Sequence, residues 1–264
     1  MQKKQQKDFL YAHLRDLPYF RALLRGVEST YYQDIDLPSP TLDVGCGDGH
    51  FTQITFDRKL DVGLDPWHGP IHEAGTRNVY ELLIEGDAAQ SPFPDGYFAS
   101  ALSNSVLEHI PHIDAVLTET SRTLRAGAPF VFSVPNDRHL EELDISRRLR
   151  QIGLKKFADW YAAWFRFISR VQHADSPEVW EKRLNEAGFE LVRWWHYFPP
   201  QSTRVLEWGH YFGLPSLLVH VLTRKWLLVP ARWNLWLTEK FVRPYASPEP
   251  VDDGTYTFYI AQKK

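Results

Sequence analysis

The sequence has only one cysteine, Cys46, among its 264 residues. A single thiol cannot form a disulfide within the chain, and metal sites built from cysteine need several thiolates. We therefore expect neither a disulfide nor a metal centre.

Long apolar runs and blocks of basic charge are also missing. Residues 214–222 and 226–229 are apolar, but charged residues and a proline interrupt them, so no run approaches the ~18 residues of a membrane-spanning helix. The formal net charge is −3, which argues against a nucleic-acid partner, because such proteins carry clustered lysine and arginine. No apolar segment typical of a signal peptide follows the first residues, so we expect a cytoplasmic location.

The sequence does contain a glycine loop at the end of an apolar strand. Residues 42–49 read Leu-Asp-Val-Gly-Cys-Gly-Asp-Gly, with glycine at every second position from 45 to 49. Such a loop lets the backbone approach a ligand closely, and the carboxylate of Asp43 beside it suits a ligand that carries an ammonium group. The dinucleotide fingerprint G-x-G-x-x-G would need a glycine at position 50, which is His50.

Three further motifs follow in order. Residues 60–65 predict a second strand that ends in Asp65, which is placed to accept both hydrogen bonds of a ribose diol. Pro66 and Trp67 then offer apolar faces to an adenine. Residues 82–88 predict a third strand that ends in Gly-Asp-Ala, and a fourth strand over residues 99–104 precedes the sequence Val-Leu-Glu-His-Ile.

In this order and spacing, the four motifs resemble those of class I S-adenosylmethionine-dependent methyltransferases, in the branch that methylates quinones, polyketides and other small molecules. The resemblance is specific over residues 41–113 and looser to residue 136 and over the last two strands. It implies S-adenosyl-L-methionine as cofactor and S-adenosyl-L-homocysteine as product. It also implies that Asp87 holds the adenine amino group and that Ser103 and Asn104 lie beside the methionine end. The predicted cofactor-binding residues are Asp43, Gly45, Cys46, Gly47, Asp65, Pro66, Trp67, Asp87, Ala88, Ser103 and Asn104.

The predicted fold is α/β: a seven-stranded Rossmann-like sheet, mostly parallel with an antiparallel last strand, flanked by helices and carrying helical insertions. Length and 44% apolar content favour one domain with insertions. The main departure from the family is the long segment between the last two strands. The predicted segments are an N-terminal helical cap (1–36) with a helix over 17–32, the cofactor-binding core (37–136), a helical lid (137–175), a core helix and sixth strand (176–200), an aromatic helical insertion (201–253) and the last strand (254–264).

The chemistry predicted from the resemblance is direct in-line methyl transfer to oxygen or carbon of a small acceptor. A sulfonium methyl is already activated, so alignment and exclusion of water do most of the work. A hydroxyl or acidic carbon would also need a base, for which His109 is the candidate, although a ring that only packs there is an open alternative. His173 and His196 are weaker candidates. Nine of the ten tryptophans lie beyond residue 150, which favours an apolar or aromatic acceptor.

Several alternatives remain open at this point. Residues 201–253 could form a pocket wall, a peripheral membrane contact or a dimer contact. The membrane contact is considered because basic residues and tryptophans alternate in this segment. Tyr31 and Tyr32 either reach the site or pack. The whole chain could instead be a non-catalytic cofactor-binding scaffold or membrane-associated partner of a biosynthetic assembly, or an oxidoreductase. The oligomeric state is not readable from the sequence.

Overall fold

Seven strands form one sheet in the computed structural model, which describes residues 7–223 and 225–264. The strands are β1 (Thr41–Val44), β2 (Leu60–Asp65), β3 (Tyr80–Glu85), β4 (Ser100–Asn104), β5 (Pro129–Pro135), β6 (Phe189–Tyr197) and β7 (Tyr256–Lys263). Their order is β3-β2-β1-β4-β5-β7-β6. Only β7 runs opposite to the others, because it pairs antiparallel with both β5 and β6. The predicted fold class is confirmed.

Helices cover both faces of this sheet. They are α1 (Phe9–Leu14), α2 (Tyr19–Tyr31), α3 (His50–Thr55), α4 (His68–Arg77), α5 (Ile113–Thr123), α6 (Asp144–Gln151), α7 (Lys155–Ile168), α8 (Pro177–Glu186), α9 (Pro200–Phe212), α10 (Leu214–Thr223) and α11 (Arg232–Val242). The central strands β1 and β4 are buried along their whole length, which is why their sequences lack the polar alternation of a half-exposed strand.

The third strand and the helix before the first strand begin at other residues than predicted. The third strand begins at Tyr80, earlier than residue 82, and ends at Glu85. Its predicted last residues form a turn instead, because the carboxylate of Asp87 accepts a hydrogen bond from the backbone N–H of Ala89 (2.9 Å). The helix expected from residue 17 begins at Tyr19, directly after Pro18, which occupies the N-cap position.

The N-terminal cap lies against the centre of the sheet. Leu23 and Val27 of α2 share a hydrophobic cluster with Leu102 of β4 and Val131 of β5. Tyr32 is buried in the same cluster, so it is a packing residue. This arrangement holds the last turns of α2 over the ends of β4 and β5.

The segment between β6 and β7 folds as α9, α10 and α11. Leu235 and Val242 of α11 are buried against Leu10 and Leu14 of α1, whereas the side chains described in α10 are at least partly exposed. Within the described ranges 7–223 and 225–264, each helix is too short or too polar to cross a membrane.

Candidate functional site

The glycine loop follows β1 and is fastened to the end of β2. The backbone N–H groups of Gly45 and Cys46 both donate to the carbonyl oxygen of Leu64 (2.8 and 3.1 Å). Gly45 has φ +77°, and a Cβ there would lie 2.3 Å from Val106, so the fold itself requires this glycine. Gly47 has φ +56° with no heavy atom within 4 Å of a Cβ built on it. Its missing side chain leaves open space beside the loop.

The thiol of Cys46 points into the protein. It is buried, and its Sγ lies 2.9 Å from the position that a Cβ on Gly63 would take. Burial raises the pKa of the Cys46 thiol, so the sulfur stays protonated and is a poor nucleophile. The residue packs the loop onto β2.

Asp65 lies at the end of β2 and holds the tip of the loop. Its Oδ2 accepts from the backbone N–H of Gly47 and its Oδ1 from that of Trp67, both at 3.0 Å. Burial raises the pKa of Asp65. A carboxylate oxygen has two lone pairs, so each oxygen retains one for a further donor. The neighbouring Pro66 is exposed, and the indole of Trp67 is 67% exposed.

Asp87 lies close to Asp65 because β2 and β3 are neighbouring strands. The backbone N–H of Gly86 donates to the carbonyl oxygen of Asp65 (3.1 Å), which brings the following turn to the same edge. Asp87 is exposed there and accepts from the backbone N–H of Ala89 and from Nε2 of His112 (3.2 Å). These hydrogen bonds lower the pKa of Asp87, so it is ionised at neutral pH. Ala88 is partly exposed beside it.

Asp43 is turned away from the surface of the loop. Its Oδ2 accepts from the hydroxyls of Thr52 (2.9 Å) and Tyr80 (2.6 Å), and the side chain is buried. Burial raises the pKa of Asp43 to about 6. The visible contacts of this carboxylate therefore join β1 to α3 and β3.

Asn104 ends β4 in a buried polar network. Its Nδ2 donates to Oε2 of Glu28 (2.6 Å), and its Oδ1 accepts from Ser133 on β5 (3.0 Å). The neighbouring Ser103 is buried and donates to the carbonyl oxygen of Val44 (2.7 Å), which ties β4 to β1.

Glu28, on α2, is the site residue that sequence reasoning missed. It is fully buried. Its carboxylate also accepts from the hydroxyls of Ser105 (2.6 Å), Ser133 (3.2 Å) and Tyr197 (2.9 Å). A signal existed, because Glu28 follows the core residue Leu24 by four positions and so lies on the apolar face of the helix.

Arg25 lies one turn before Glu28 and was also missed. Its guanidinium donates to Glu28 (3.2 Å) and to the carbonyl oxygen of Asn104 (2.8 Å). It also lies 5.6 Å from the ring of Phe51, at the start of α3. A cation is thus held between the end of β4 and the helix that follows the glycine loop.

His109 follows β4 in a short 3₁₀ turn, Leu107–His109. Its Nδ1 lies 3.0 Å from the carbonyl oxygen of Arg170. A carbonyl only accepts, so Nδ1 carries a proton and, in the neutral ring, Nε2 has the free lone pair. Nε2 lies 3.7 Å from Oε1 of Glu108, and burial raises the pKa of Glu108.

The two weaker histidine candidates lie elsewhere. Nε2 of His173 is 3.0 Å from the carbonyl oxygen of Ile110. Nδ1 of His196 is 2.7 Å from the hydroxyl of Thr257, across the β6–β7 pair. Both rings have structural contacts that account for their positions.

Comparison with known proteins identifies the region that contains this site. Residues 42–132 match the family described as "Methyltransferase domain". Over these residues the chain is therefore similar to a methyltransferase domain. The matched stretch runs from β1 into β5 and contains every residue of the predicted cofactor site.

Two curated relatives match this chain over about 100 residues each. A malonyl-[acyl-carrier protein] O-methyltransferase of Serratia marcescens is 32% identical over 103 residues, 39% of this chain and 40% of that protein. A fatty-acid O-methyltransferase of Mycolicibacterium smegmatis is 34% identical over 103 residues, 37% of this chain and 38% of that protein. The chain thus spans about two fifths of the length of these two relatives.

The fold extends beyond the matched stretch. A crystal structure of an S-adenosylmethionine-dependent methyltransferase from Thermotoga maritima superposes with a TM-score of 0.57 over 93% of this chain and 92% of that chain, at 16% sequence identity. At this identity, the likeness shows the fold of the whole chain.

The edge where β1, β2 and β3 end has the space, the acceptors and the apolar face that S-adenosyl-L-methionine would need. The open space at Gly47 is a cradle that a Cβ would fill. The spare lone pairs of Asp65, the exposed indole of Trp67 and the ionised Asp87 provide acceptors and an apolar face for a nucleoside.

A separate groove lies outside this edge, between α2, α6, α9 and α11. Its volume is about 570 Å³. Its lining includes no residue of the predicted cofactor site. The aromatic and arginine residues along it are Tyr19, Arg147, Arg148, Arg204, Trp208, Phe212, Phe241 and Tyr245.

Proposed function

We propose that this protein transfers a methyl group from S-adenosyl-L-methionine to a small acceptor, with S-adenosyl-L-homocysteine as product. The observation that carries the proposal is the link between Gly47 and Asp65, which places a backbone cradle and a carboxylate at one strand edge. The match of residues 42–132 to a methyltransferase domain supports it.

The cofactor would supply an activated sulfonium methyl group, and the residues of the chain would bind and orient it. Asp65 would accept from the ribose hydroxyls, Trp67 would cover the adenine, and Asp87 would accept from the adenine amino group. Arg25 is the cation near the end of β4, so we assign it to the cofactor's carboxylate. Its existing bond to a backbone carbonyl shows that it already donates at this point.

His109 is the base that we propose for an acceptor that must lose a proton. The Arg170 carbonyl orients the ring so that Nε2 is free to take up a proton, and the nearby Glu108 would stabilise the resulting imidazolium. A carbon or oxygen acceptor would then react as its anion. An acceptor that is already ionised would not need this histidine.

The acceptor that we propose is apolar or aromatic and is methylated on oxygen or carbon. The concentration of tryptophans beyond residue 150 supports this class. The names of the two relatives, which concern fatty-acid and malonyl-[acyl-carrier protein] O-methylation, favour an acyl compound. In this proposal, residues 37–136 bind the cofactor, and residues 137–175 and 201–253 cover the acceptor. We include a peripheral contact of residues 201–253 with a membrane in this proposal.

The test compares two aspartates on the same strand. Asp65→Ala should weaken S-adenosylhomocysteine binding roughly 30-fold to 900-fold, the equivalent of 2 to 4 kcal/mol for two hydrogen bonds to a charged acceptor. Asp61→Ala is the control, because Asp61 also accepts two hydrogen bonds, from Ser39 and from the backbone of Thr41, but at the other end of β2. Calorimetry measures both.

Turnover is then measured with the wild-type protein and labelled S-adenosylmethionine, on fatty acids, phenols and quinols. Transfer to one of these classes supports the proposal. Unchanged binding in Asp65→Ala would contradict the cofactor site, and tight binding without transfer to any class would favour a non-catalytic scaffold.

A further inference from the structure

The helices between β6 and β7 expose apolar residues that no part of the described chain covers. Six of them are between 58% and 83% exposed: Leu218, Val221 and Leu222 on α10, and Trp233, Trp236 and Leu237 on α11. We call these six residues the α10–α11 face. Isolated exposed apolar residues are common, but a set of this size on two consecutive helices indicates an interaction surface.

The loop between the two helices contacts both of them. The connecting loop packs on α10 through Trp226, whose ring stacks on His220 at 4.2 Å between centroids. The same loop meets α11, because Nδ2 of Asn234 donates to the carbonyl oxygen of Val229 (2.8 Å). The opposite side of α11 is occupied, since Leu235 is buried against the N-terminal cap. Helix α11 is therefore apolar on both sides, although only one side has a partner within the described chain.

The charges near this face are mainly positive, and Glu239, the one acidic residue of α11, is paired with Arg243. Between Glu207 and Glu239 the sequence contains no acidic residue, whereas Lys225 and Arg232 lie within that stretch and Lys240 follows it. Helix α10 carries no charged residue at all. An apolar face with a basic border is complementary to anionic headgroups above an acyl layer.

The basic side chains also lie along aromatic rings. Lys240 Nζ is 5.3 Å from the ring centre of Trp236, and the guanidinium of Arg232 is 4.9 Å from that of Tyr11. Long basic side chains place their stems on apolar surface and their charge in the headgroup layer, and tryptophan prefers the same depth.

We propose that the α10–α11 face docks on an anionic lipid surface, with both helices lying in the plane of the interface. A ten-residue α10 is about 15 Å long, roughly half of the hydrocarbon thickness, so it would insert shallowly and not cross. A second copy of the chain fits less well, because a two-fold contact would bring Lys225, Arg232 and Lys240 of both copies into one interface, with Glu239 as the one acidic residue of α10 and α11. The proposal specifies the membrane contact included in the proposed function and does not depend on methyl transfer.

Docking would also orient the groove. Phe212, just before α10, and Phe241, at the end of α11, both line it. The groove therefore lies beside the docked face, and an apolar compound dissolved in the membrane would meet it without passing through water.

The experiment is flotation of the whole chain with vesicles of phosphatidylcholine and with vesicles that also contain phosphatidylglycerol. The wild-type protein should float with the anionic vesicles and much less with the neutral ones. Leu218→Gln combined with Leu222→Gln should lower the affinity at least about tenfold. Arg232→Gln combined with Lys240→Gln should lower it roughly thirtyfold on anionic vesicles only. The matched control is Val192→Gln, since Val192 is 58% exposed on the edge strand β6.

Three outcomes would overturn the proposal. The first is that the wild-type protein does not float with anionic vesicles. The second is that Val192→Gln loses as much affinity for these vesicles as the Leu218/Leu222 variant does. The third is that sedimentation shows a stable dimer, which the Leu218/Leu222 change dissociates. S-adenosylhomocysteine affinity is measured on every variant. Normal affinity in a variant that no longer floats shows that it is folded, and a wild-type protein that floats but binds no cofactor would refute the methyltransferase proposal and leave docking intact.

Discussion

Replacing Gly47 with valine tests the glycine loop most directly. The residue has φ +56° and open space where a Cβ would be. A Cβ there would therefore meet no neighbouring atom, but the left-handed backbone is roughly 1–2 kcal/mol unfavourable for a non-glycine residue. In a chain of this size we expect a fall in melting temperature of roughly 2 to 8 °C. The added methyl groups would occupy the space assigned to the cofactor.

Gly96 provides a matched control. It has φ +64°, and its Cβ would also meet nothing within 4 Å. Gly96 lies in the loop before β4, at the opposite edge of the sheet, where its backbone N–H donates to the carbonyl oxygen of Arg122. Gly96→Val should therefore have the same strain and the same loss of melting temperature, without any effect at the cofactor edge.

The assay is titration calorimetry with S-adenosylhomocysteine, together with thermal unfolding. Gly47→Val should weaken binding at least about 100-fold, equivalent to about 2.7 kcal/mol, whereas Gly96→Val should bind as the wild type does. Normal binding by Gly47→Val would show that the loop is not the cradle. Equal loss in both variants would show that destabilisation, and not occupation of the cradle, causes the effect.

Three further predictions concern buried and catalytic groups. Burial raises the pKa of Asp43 from near 3.8 to about 6, so the folded wild-type protein loses stability as pH rises through that window. The free energy of unfolding of Asp43→Asn, measured with urea, should therefore rise relative to that of the wild type by up to about 3 kcal/mol between about pH 4 and 7. A difference that does not change with pH would contradict this. Glu28→Gln should destabilise the fold by at least about 2 kcal/mol, because its amide would face several donors, whereas Tyr197→Phe should cost only about 1 kcal/mol; equal effects would argue against the carboxylate as the shared acceptor of this network. His109→Asn should lower kcat and remove the limb of the pH–rate profile due to the base, with unchanged S-adenosylhomocysteine affinity; an unchanged profile would leave the ring a packing role.

Much of the fold and of the cofactor edge was predictable because its signals are local. Each of the strands β1, β2 and β3 is a short run with apolar residues that ends in, or is followed by, glycine or an acidic residue, and neighbouring parallel strands bring such ends together. Asp65 and Asp87 could therefore be placed at one edge from their positions alone. The antiparallel last strand came only from the resemblance, since sequence periodicity does not specify strand direction.

The tertiary structure decided which side chains meet across long separations. Glu28 contacts residues that lie 76 to 169 positions away along the chain, so no local pattern could show its partners. It also decided the direction of Asp43, whose carboxylate faces Thr52 and Tyr80. Helix α11 shows the same limit, because it is apolar on both sides and only packing against α1 determines which side is covered. A sequence specifies local conformation and burial tendency, whereas the pairing of distant surfaces follows from how the whole chain packs.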